Sequence, residues 1–171
     1  MSQWQSYSLP YKEDTALVFE NFYELEHSAY LDSSAPFSTG RFDIIAALPY
    51  QVLRFKDGTT SLEKEGSVRY FDLDPLTFLD SLLPRENDPL LKDVPFFNGA
   101  IGYISYDYGN THFNLNATKS GLSEVFFAFY RWAVVVCHQK KTATLYVANG
   151  ALPVDIDDIQ RRWTASLPRS Q

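Results

Sequence analysis

One cysteine, Cys137, stands among 171 residues, so no disulfide can form within the chain and a reducing compartment is the simple expectation. Positive charge is scarce too: 15 Lys and Arg face 21 Asp and Glu, a formal charge of −6. That sign disfavours phosphate backbones and anionic lipid. No local patch reverses it, because the tight basic pairs, Lys140–Lys141 and Arg161–Arg162, fall in a predicted turn and a predicted helix and read as solvated surface. Neither a nucleic-acid nor a membrane partner is therefore expected. The first residues, from Met1 to Asp14, lack the basic start and apolar stretch of a secretion signal, and no run reaches transmembrane length. A cytoplasmic location follows as the expectation, and Asn116-Ala117-Thr118 is a chance match to the glycosylation triplet. Repeats, low-complexity tracts and linkers are missing as well, which predicts a single domain over residues 1–171.

What is present is an ordinary globular composition, 45% hydrophobic and 21% charged, enough for one real core. Residues 3 to 9 alternate as a strand stopped by Pro10. From Asp14, Leu17, Val18, Phe22 and Leu25 recur at helical spacing behind a capping Asp14 or Thr15. Strands are predicted at Ala29–Leu31, within Arg41–Leu48, and at Tyr50–Phe55. Asp57-Gly58 then turns the chain into a return strand from Thr60 to Lys64. Asp74-Pro75 opens a helix whose apolar face is Leu76, Leu79, Leu82 and Leu83. Arg85 to Val94 is a polar loop, and Phe96 to Tyr106, dense in glycine and aromatics, reads as a kinked strand. The longest apolar run, Val125–Cys137, turns at His138–Lys141 into Thr142–Ala148 as a long hairpin, and Val154–Ser166 closes the chain as a helix. Strands outnumber helices without a βαβ rhythm. The expected class is α+β, a largely antiparallel sheet packed with about three helices.

Chemistry is harder to find. Cys137 and His138 are adjacent on a strand, so their side chains point to opposite faces and cannot share a proton; a buried structural cysteine beside a turn histidine is the reading. His27, His112 and His138 lie far apart with no metal-ligand spacing and read as surface or loop residues. Asp155-Ile156-Asp157-Asp158 and Asp72-Leu73-Asp74 lack the glycine and terminal glutamate of a calcium loop and read as helix caps. Gly99-Ala100-Ile101-Gly102 fits neither phosphate-binding glycine pattern. The segment from Pro95 to Asp107 nevertheless spaces small residues between aromatics, which lets another backbone or a flat ligand come close.

That segment resembles the Pro-Phe-x-Gly-Gly-x-x-Gly-x-x-Gly-Tyr-Asp stretch in the N-terminal domain of chorismate-utilising enzymes, the component I family of aminodeoxychorismate synthase and anthranilate synthase. Pro95, Phe96, Gly99, Gly102, Tyr106 and Asp107 carry the likeness, while Asn98 and Ser105 stand where the family places glycine. Three other stretches agree in order. Gly40–Pro49 is similar to the Arg-Phe-Asp-Ile segment of aminodeoxychorismate synthases, Phe129–Val136 followed by His138-Gln139 resembles their long hairpin, and Leu31-Asp32-Ser33 resembles the Leu-Glu-Ser element lining the family's tryptophan pocket. Asp43 leans toward the 4-aminobenzoate branch, since anthranilate synthases more often place serine there.

The resemblance implies half of a two-sheet sandwich and, for the complete enzyme, conversion of chorismate to 4-amino-4-deoxychorismate with Mg²⁺ and ammonia from a glutamine amidotransferase partner. It places the catalytic groups and metal carboxylates in a C-terminal catalytic domain that this chain lacks, so no cofactor and no catalytic residue are expected here and the chain alone is expected to be silent. The site it implies for this domain is a pocket for tryptophan: Asp32 to pair with the ammonium, Ser33 to hydrogen-bond, Leu31 as a wall, and Phe37 and Arg41 on the adjoining loop. Two other readings stay open, the anthranilate branch and a freestanding binding or interaction module; a small ligand-carrying barrel lacks the even run of strands closure needs. As one half of a larger enzyme the chain is expected to carry an exposed apolar patch, including the aromatics of 96–106.

Overall fold

The computed structural model describes residues 3–34, 40–85, 88–112, 121–150 and 152–166. The class is α+β: the described residues form two antiparallel five-stranded sheets and four short helices. The chain forms two compact units, one from the described residues of 1–48, 86–98 and 130–171 and the other from those of 49–85 and 99–129.

The first unit holds a sheet ordered β1-β10-β9-β3-β2, with β1 at Trp4–Leu9, β2 at Ala29–Leu31, β3 at Phe42–Ala46, β9 at Trp132–Cys137 and β10 at Thr142–Ala148. The predicted hairpin joins β9 to β10, pairing Cys137 with Thr142. Helix α1, Thr15–Phe19, is capped by Asp14, whose Oδ1 accepts the Leu17 N–H at 3.0 Å. It is shorter than its apolar spacing predicts. Beyond Phe19 the chain runs through turns whose amides reach back three residues, Phe22 to Phe19 and Leu25 to Phe22, and these turns still bring Phe22 into the core. Helix α4, Ile156–Thr164, is capped by Asp155 and presents Ile159 and Trp163. Phe22, Ile45, Val134, Val136, Leu145, Ile159 and Trp163 form one buried cluster. Trp163 is fully enclosed, and its indole N–H donates to the Pro10 carbonyl at 2.8 Å.

The second unit holds a sheet ordered β6-β5-β4-β8-β7, with β4 at Gln51–Lys56, β5 at Thr59–Lys64, β6 at Ser67–Phe71, β7 at Gly99–Ile104 and β8 at Val125–Tyr130. Asp57 and Gly58, at φ 49° and 79°, make the predicted turn with both central residues left-handed. Glu65 and Gly66, at φ 50° and 73°, repeat that geometry and add strand β6, which alternation alone does not reveal because its residues are mostly exposed. Helix α2, Pro75–Leu82, begins at Asp74, whose carboxylate accepts the Thr77 N–H.

Two expectations need correction. The Val125–Cys137 run is not one strand, since it breaks at Arg131 and serves both sheets as β8 and β9. The kinked strand of 96–106 is strand only over Gly99–Ile104. Ser105 then bonds to the Glu124 carbonyl, and Tyr106–His112 forms helix α3, anchored by Tyr108, which packs edge-on to Phe55 and donates to Asp74. Among the described residues no helix is long and apolar enough to cross a membrane.

Candidate functional site

A buried carboxylate organises one end of the first sheet. Asp43 lies on β3 opposite Val136, and the register β3–β9 sets His138, just past β9, on the same face, with its N–H donating to the Arg41 carbonyl at 2.9 Å. His138 is not the surface residue the sequence suggests: its side chain is 11% exposed, and Nε2 lies 2.7 Å from Asp43 Oδ2. The expected opposition of Cys137 and His138 holds, since Cys137 pairs with Phe42 in the neighbouring row, out of step with Asp43.

Four donors converge on Asp43. Thr15 Oγ1 and His138 Nε2 give to Oδ2, while the Ser33 N–H at 2.8 Å and Ser33 Oγ at 2.9 Å give to Oδ1. Burial acts to raise the Asp43 carboxyl, but the bonds from Thr15, Ser33 and His138 outweigh it and hold the group below its ordinary value. The ionised carboxylate fixes the rest of the network. With Nε2–H given to Asp43, the other ring nitrogen of His138, Nδ1, is hydrogen-bonded to the Tyr11 hydroxyl, 3.0 Å away. With the Thr15 hydrogen also given to Asp43, the Tyr30 hydroxyl, 2.8 Å from Thr15 Oγ1, must donate to it. Tyr11 and Tyr30 are both raised, first by burial and then by nearby carboxylates, so both stay protonated donors at neutral pH.

Beside this network lies a cleft of about 250 Å³ lined by Glu13, Asp14, Thr15, Tyr30, Asp32, Asp43 and His138. Its hydroxyls turn their hydrogens inward toward Asp43, leaving lone pairs and carboxylates on the open side. The surface it offers is an acceptor surface, suited to a group rich in N–H donors.

The residues expected for an amino-acid pocket divide accordingly. Ser33 joins the Asp43 cluster. Asp32 lines the cleft but is exposed, and its Oδ1 accepts the Ser34 N–H at 2.7 Å as a turn residue does. Leu31 ends β2 and is exposed. Arg41 stacks its guanidinium over Phe42 at 4.4 Å, and its Nε is buried with no hydrogen-bond partner. Phe37 lies outside the described residues. Sequence reasoning missed Tyr11, Thr15 and Tyr30 and took Asp43 only as a branch marker. The usable signal was its charge, since a lone Asp inside an apolar β-branched run has to find donors.

The residues of the glycine-rich segment separate. Pro95 and Phe96 line a different hollow, about 430 Å³, with Asp88, Leu91 and Lys92. Gly99 opens β7 at φ 153°, and Gly102 explains the small-residue spacing: a Cβ there would sit 1.9 Å from the Phe126 carbonyl oxygen and 2.7 Å from Phe127 Cα. What approaches closely is the backbone of β8. Tyr106 is 96% exposed at the start of α3, and Asp107 sits in its first turn.

Among the described residues no group of three or more His, Cys, Asp or Glu is placed to hold a metal ion.

Comparison with known proteins gives matches along most of the chain. It is 34% identical over 148 residues to aminodeoxychorismate synthase component 1 of Escherichia coli, covering 83% of this chain and 30% of that protein. It is 25% identical over 171 residues to the Bacillus subtilis protein of the same name, covering 94% and 36%. Anthranilate synthase component 1 of Lactococcus lactis is 34% identical over 106 residues, 59% of this chain and 22% of its own. The crystal structure of anthranilate synthase component I from Streptococcus pneumoniae superposes with a TM-score of 0.52 at 26% identity, over 82% of this chain and 32% of the other. The chain thus spans about a third of the length of the relatives it matches. No family model matches.

Proposed function

From homology to the N-terminal portion of component I of the aminodeoxychorismate and anthranilate synthases, which extends over most of the chain, we propose that this protein is the N-terminal, non-catalytic portion of an aminodeoxychorismate synthase component I. The observation that carries the reading is the match to aminodeoxychorismate synthases over 83% and 94% of the chain. Asp43, within Arg41-Phe42-Asp43-Ile44, supports the 4-aminobenzoate branch over the anthranilate branch. In this reading the chain scaffolds a catalytic C-terminal region that binds chorismate and Mg²⁺ and receives ammonia from a glutamine amidotransferase, and the chain itself supplies no reacting group.

Its own binding capacity is the cleft beside Asp43. An acceptor-lined, carboxylate-rich cleft suits the ammonium of an amino acid, and tryptophan is the ligand the resemblance favours, with Asp32 as the exposed counter-ion and Ser33 offering a lone pair. The carboxylate of the ligand must find its donor outside that lining, and Arg41 is the nearest candidate in sequence.

Two assays test this. The purified 171-residue chain, given chorismate, Mg²⁺ and ammonia, is expected to form no aminodeoxychorismate above a protein-free control; formation of that product overturns the non-catalytic assignment. The intact enzyme from the native cell is expected to yield 4-amino-4-deoxychorismate, and anthranilate as its product moves the protein to the other branch.

A further inference from the structure

Resting on that reading of the cleft beside Asp43, we propose that a proton on His138 and an ammonium-bearing ligand in the cleft exclude one another, so that the site fills as pH rises and empties as it falls. His138 is itself part of the lining, although its side chain is only 11% exposed. Both of its ring nitrogens are engaged by the protein, Nε2 with Asp43 Oδ2 at 2.7 Å and Nδ1 with the Tyr11 hydroxyl at 3.0 Å. The Tyr11 ring also meets the imidazole edge-on at 5.9 Å. Neither partner has to move when the imidazole gains or loses a proton, since a phenolic hydroxyl accepts as readily as it donates. What changes is charge, at a place where water screens it little.

The groups around His138 set the sign. β3 brings Asp43, the buried carboxylate of the lining. The chain ahead of α1 brings Tyr11, Glu13 and Asp14, and β2 with the residue after it brings Tyr30 and Asp32. Cys137 at the end of β9 belongs to the neighbouring row, opposite Phe42. The cations of these segments are placed elsewhere: Arg41 holds its guanidinium over Phe42 at 4.4 Å, Lys12 lines a separate hollow beside Trp163, and Lys140 and Lys141 are exposed in the β9–β10 turn. Among the described residues the lining of the cleft contains no lysine or arginine. Glu13, Asp14 and Asp32 are exposed, where salt and water screen them, and Asp14 and Asp32 each already accept a backbone N–H. Asp43 is therefore the carboxylate whose field reaches the cleft least screened, and its donors keep it ionised by holding it below its ordinary value. A proton on His138, 2.7 Å away, cancels that field and adds a like charge beside the ligand ammonium. With both nitrogens engaged, the imidazolium has no free N–H to give a ligand carboxylate in return.

The test is calorimetric titration of tryptophan into the protein at about pH 7.5 and about pH 5.5, a window above ordinary carboxylates and below ordinary phenols, in which imidazole is the side chain that titrates. The tryptophan ammonium stays charged throughout it. Binding is expected to be roughly tenfold weaker at the lower pH, the scale of one unit charge at close range in a partly screened site. Midway through the window, titrations in two buffers of different ionisation enthalpy are expected to show a proton released to solvent on binding. His138→Gln, which keeps an N–H for Asp43 but takes up no proton, is expected to flatten the profile and abolish the release, and His27→Gln to leave both unchanged. If His138→Gln does not fold, the slope and proton release of the wild type and of His27→Gln decide. A slope that survives in His138→Gln, or is lost in His27→Gln, overturns the assignment to His138. Equal affinity at both pH values without proton release overturns the linkage and leaves the amino-acid reading of the cleft standing, and so does tighter binding at the lower pH, which places the ligand carboxylate at His138. Absence of binding at both pH values overturns that reading and the linkage together.

Discussion

Asp43 Oδ2 and His138 Nε2 lie 2.7 Å apart across ninety-five residues of chain. Through this pair Thr15 at the start of α1, Ser33 after β2, and the β9–β10 turn are tied to one carboxylate. The carboxylate is buried and fully hydrogen-bonded, so its removal leaves several buried donors without an acceptor.

Asp43→Asn places an amide where four donors converge. The expected loss is about 2–3 kcal/mol, the scale for buried hydrogen bonds to a charged group. It is read as a lower urea midpoint at unchanged slope; a midpoint equal to wild type removes Asp43 from its proposed anchoring role.

The pH dependence has a definite sign. Because the Asp43 carboxyl is held below its ordinary value, the unfolded chain binds the proton first, and the stability Asp43 contributes is present above about pH 4 and lost as pH falls through the depressed native value. Stability measured from pH 6 down to pH 3 is expected to fall more steeply for wild type than for Asp43→Asn, whose curves converge at the acid end. Parallel curves contradict the linkage.

At the alkaline end two tyrosines lead. Burial pushes Tyr130 up to about 12, and burial together with the bond to Asp74 pushes Tyr108 up to about 12. Both are protonated in either state at neutral pH. Above about pH 10 the unfolded phenols ionise first, so native stability declines from there toward pH 12. Absorbance titration at 295 nm is expected to show late-ionising tyrosines, and Tyr130→Phe with Tyr108→Phe to remove that late phase.

Gly102→Ala forces a Cβ into the Phe126 carbonyl. Backbone cannot yield as a side chain does, so a cost of about 2–3 kcal/mol or more is expected. Hydrogen exchange should show it concentrated in β7 and β8, while the β9–β10 hairpin keeps its protection.

The two tight hairpins make a paired test of opposite sign. Gly58→Ala adds a side chain at φ 79°, expected to cost about 1 kcal/mol from backbone strain alone because nothing lies within 4 Å. Glu65→Asn, at φ 50°, puts a residue that tolerates this conformation in place of one that does not, and is expected to stabilise by about 0.5 kcal/mol. Thermal melts of the two variants should move in opposite directions.

Much of the fold was legible wherever a local rule acted. Asp14, Asp74 and Asp155 each cap the helix that their position announces, and Asp57-Gly58 turns as its sequence demands. Reading failed where a non-local partner decides. The apolar run through Arg131 has no breaker of its own. Its division follows from its partners, since Phe129 pairs with Gln51 in one sheet and Trp132 with Val147 in the other. Tyr106–His112 has little helical periodicity and is held by Tyr108 against Phe55 and Asp74. The site followed the same divide. Ser33 stood out only by its resemblance to a family motif and as a ligand contact, not as a partner of Asp43, while Thr15 and His138 meet Asp43, and Tyr11 meets His138, only through the fold.

The pairing of β1 with β10, Trp4 against Ala148, bears on the order in which a ribosome can complete this chain. The first sheet cannot close until the last strand has been made, so its early strands wait through synthesis of the whole second sheet, whose own strands end by Tyr130. Contacts of such long sequence separation form slowly. The internal unit is therefore the one expected to be finished first, and a released chain truncated after Tyr130 should already resist protease over 49–85, 99–112 and 121–129 while residues 3–31 remain open to it.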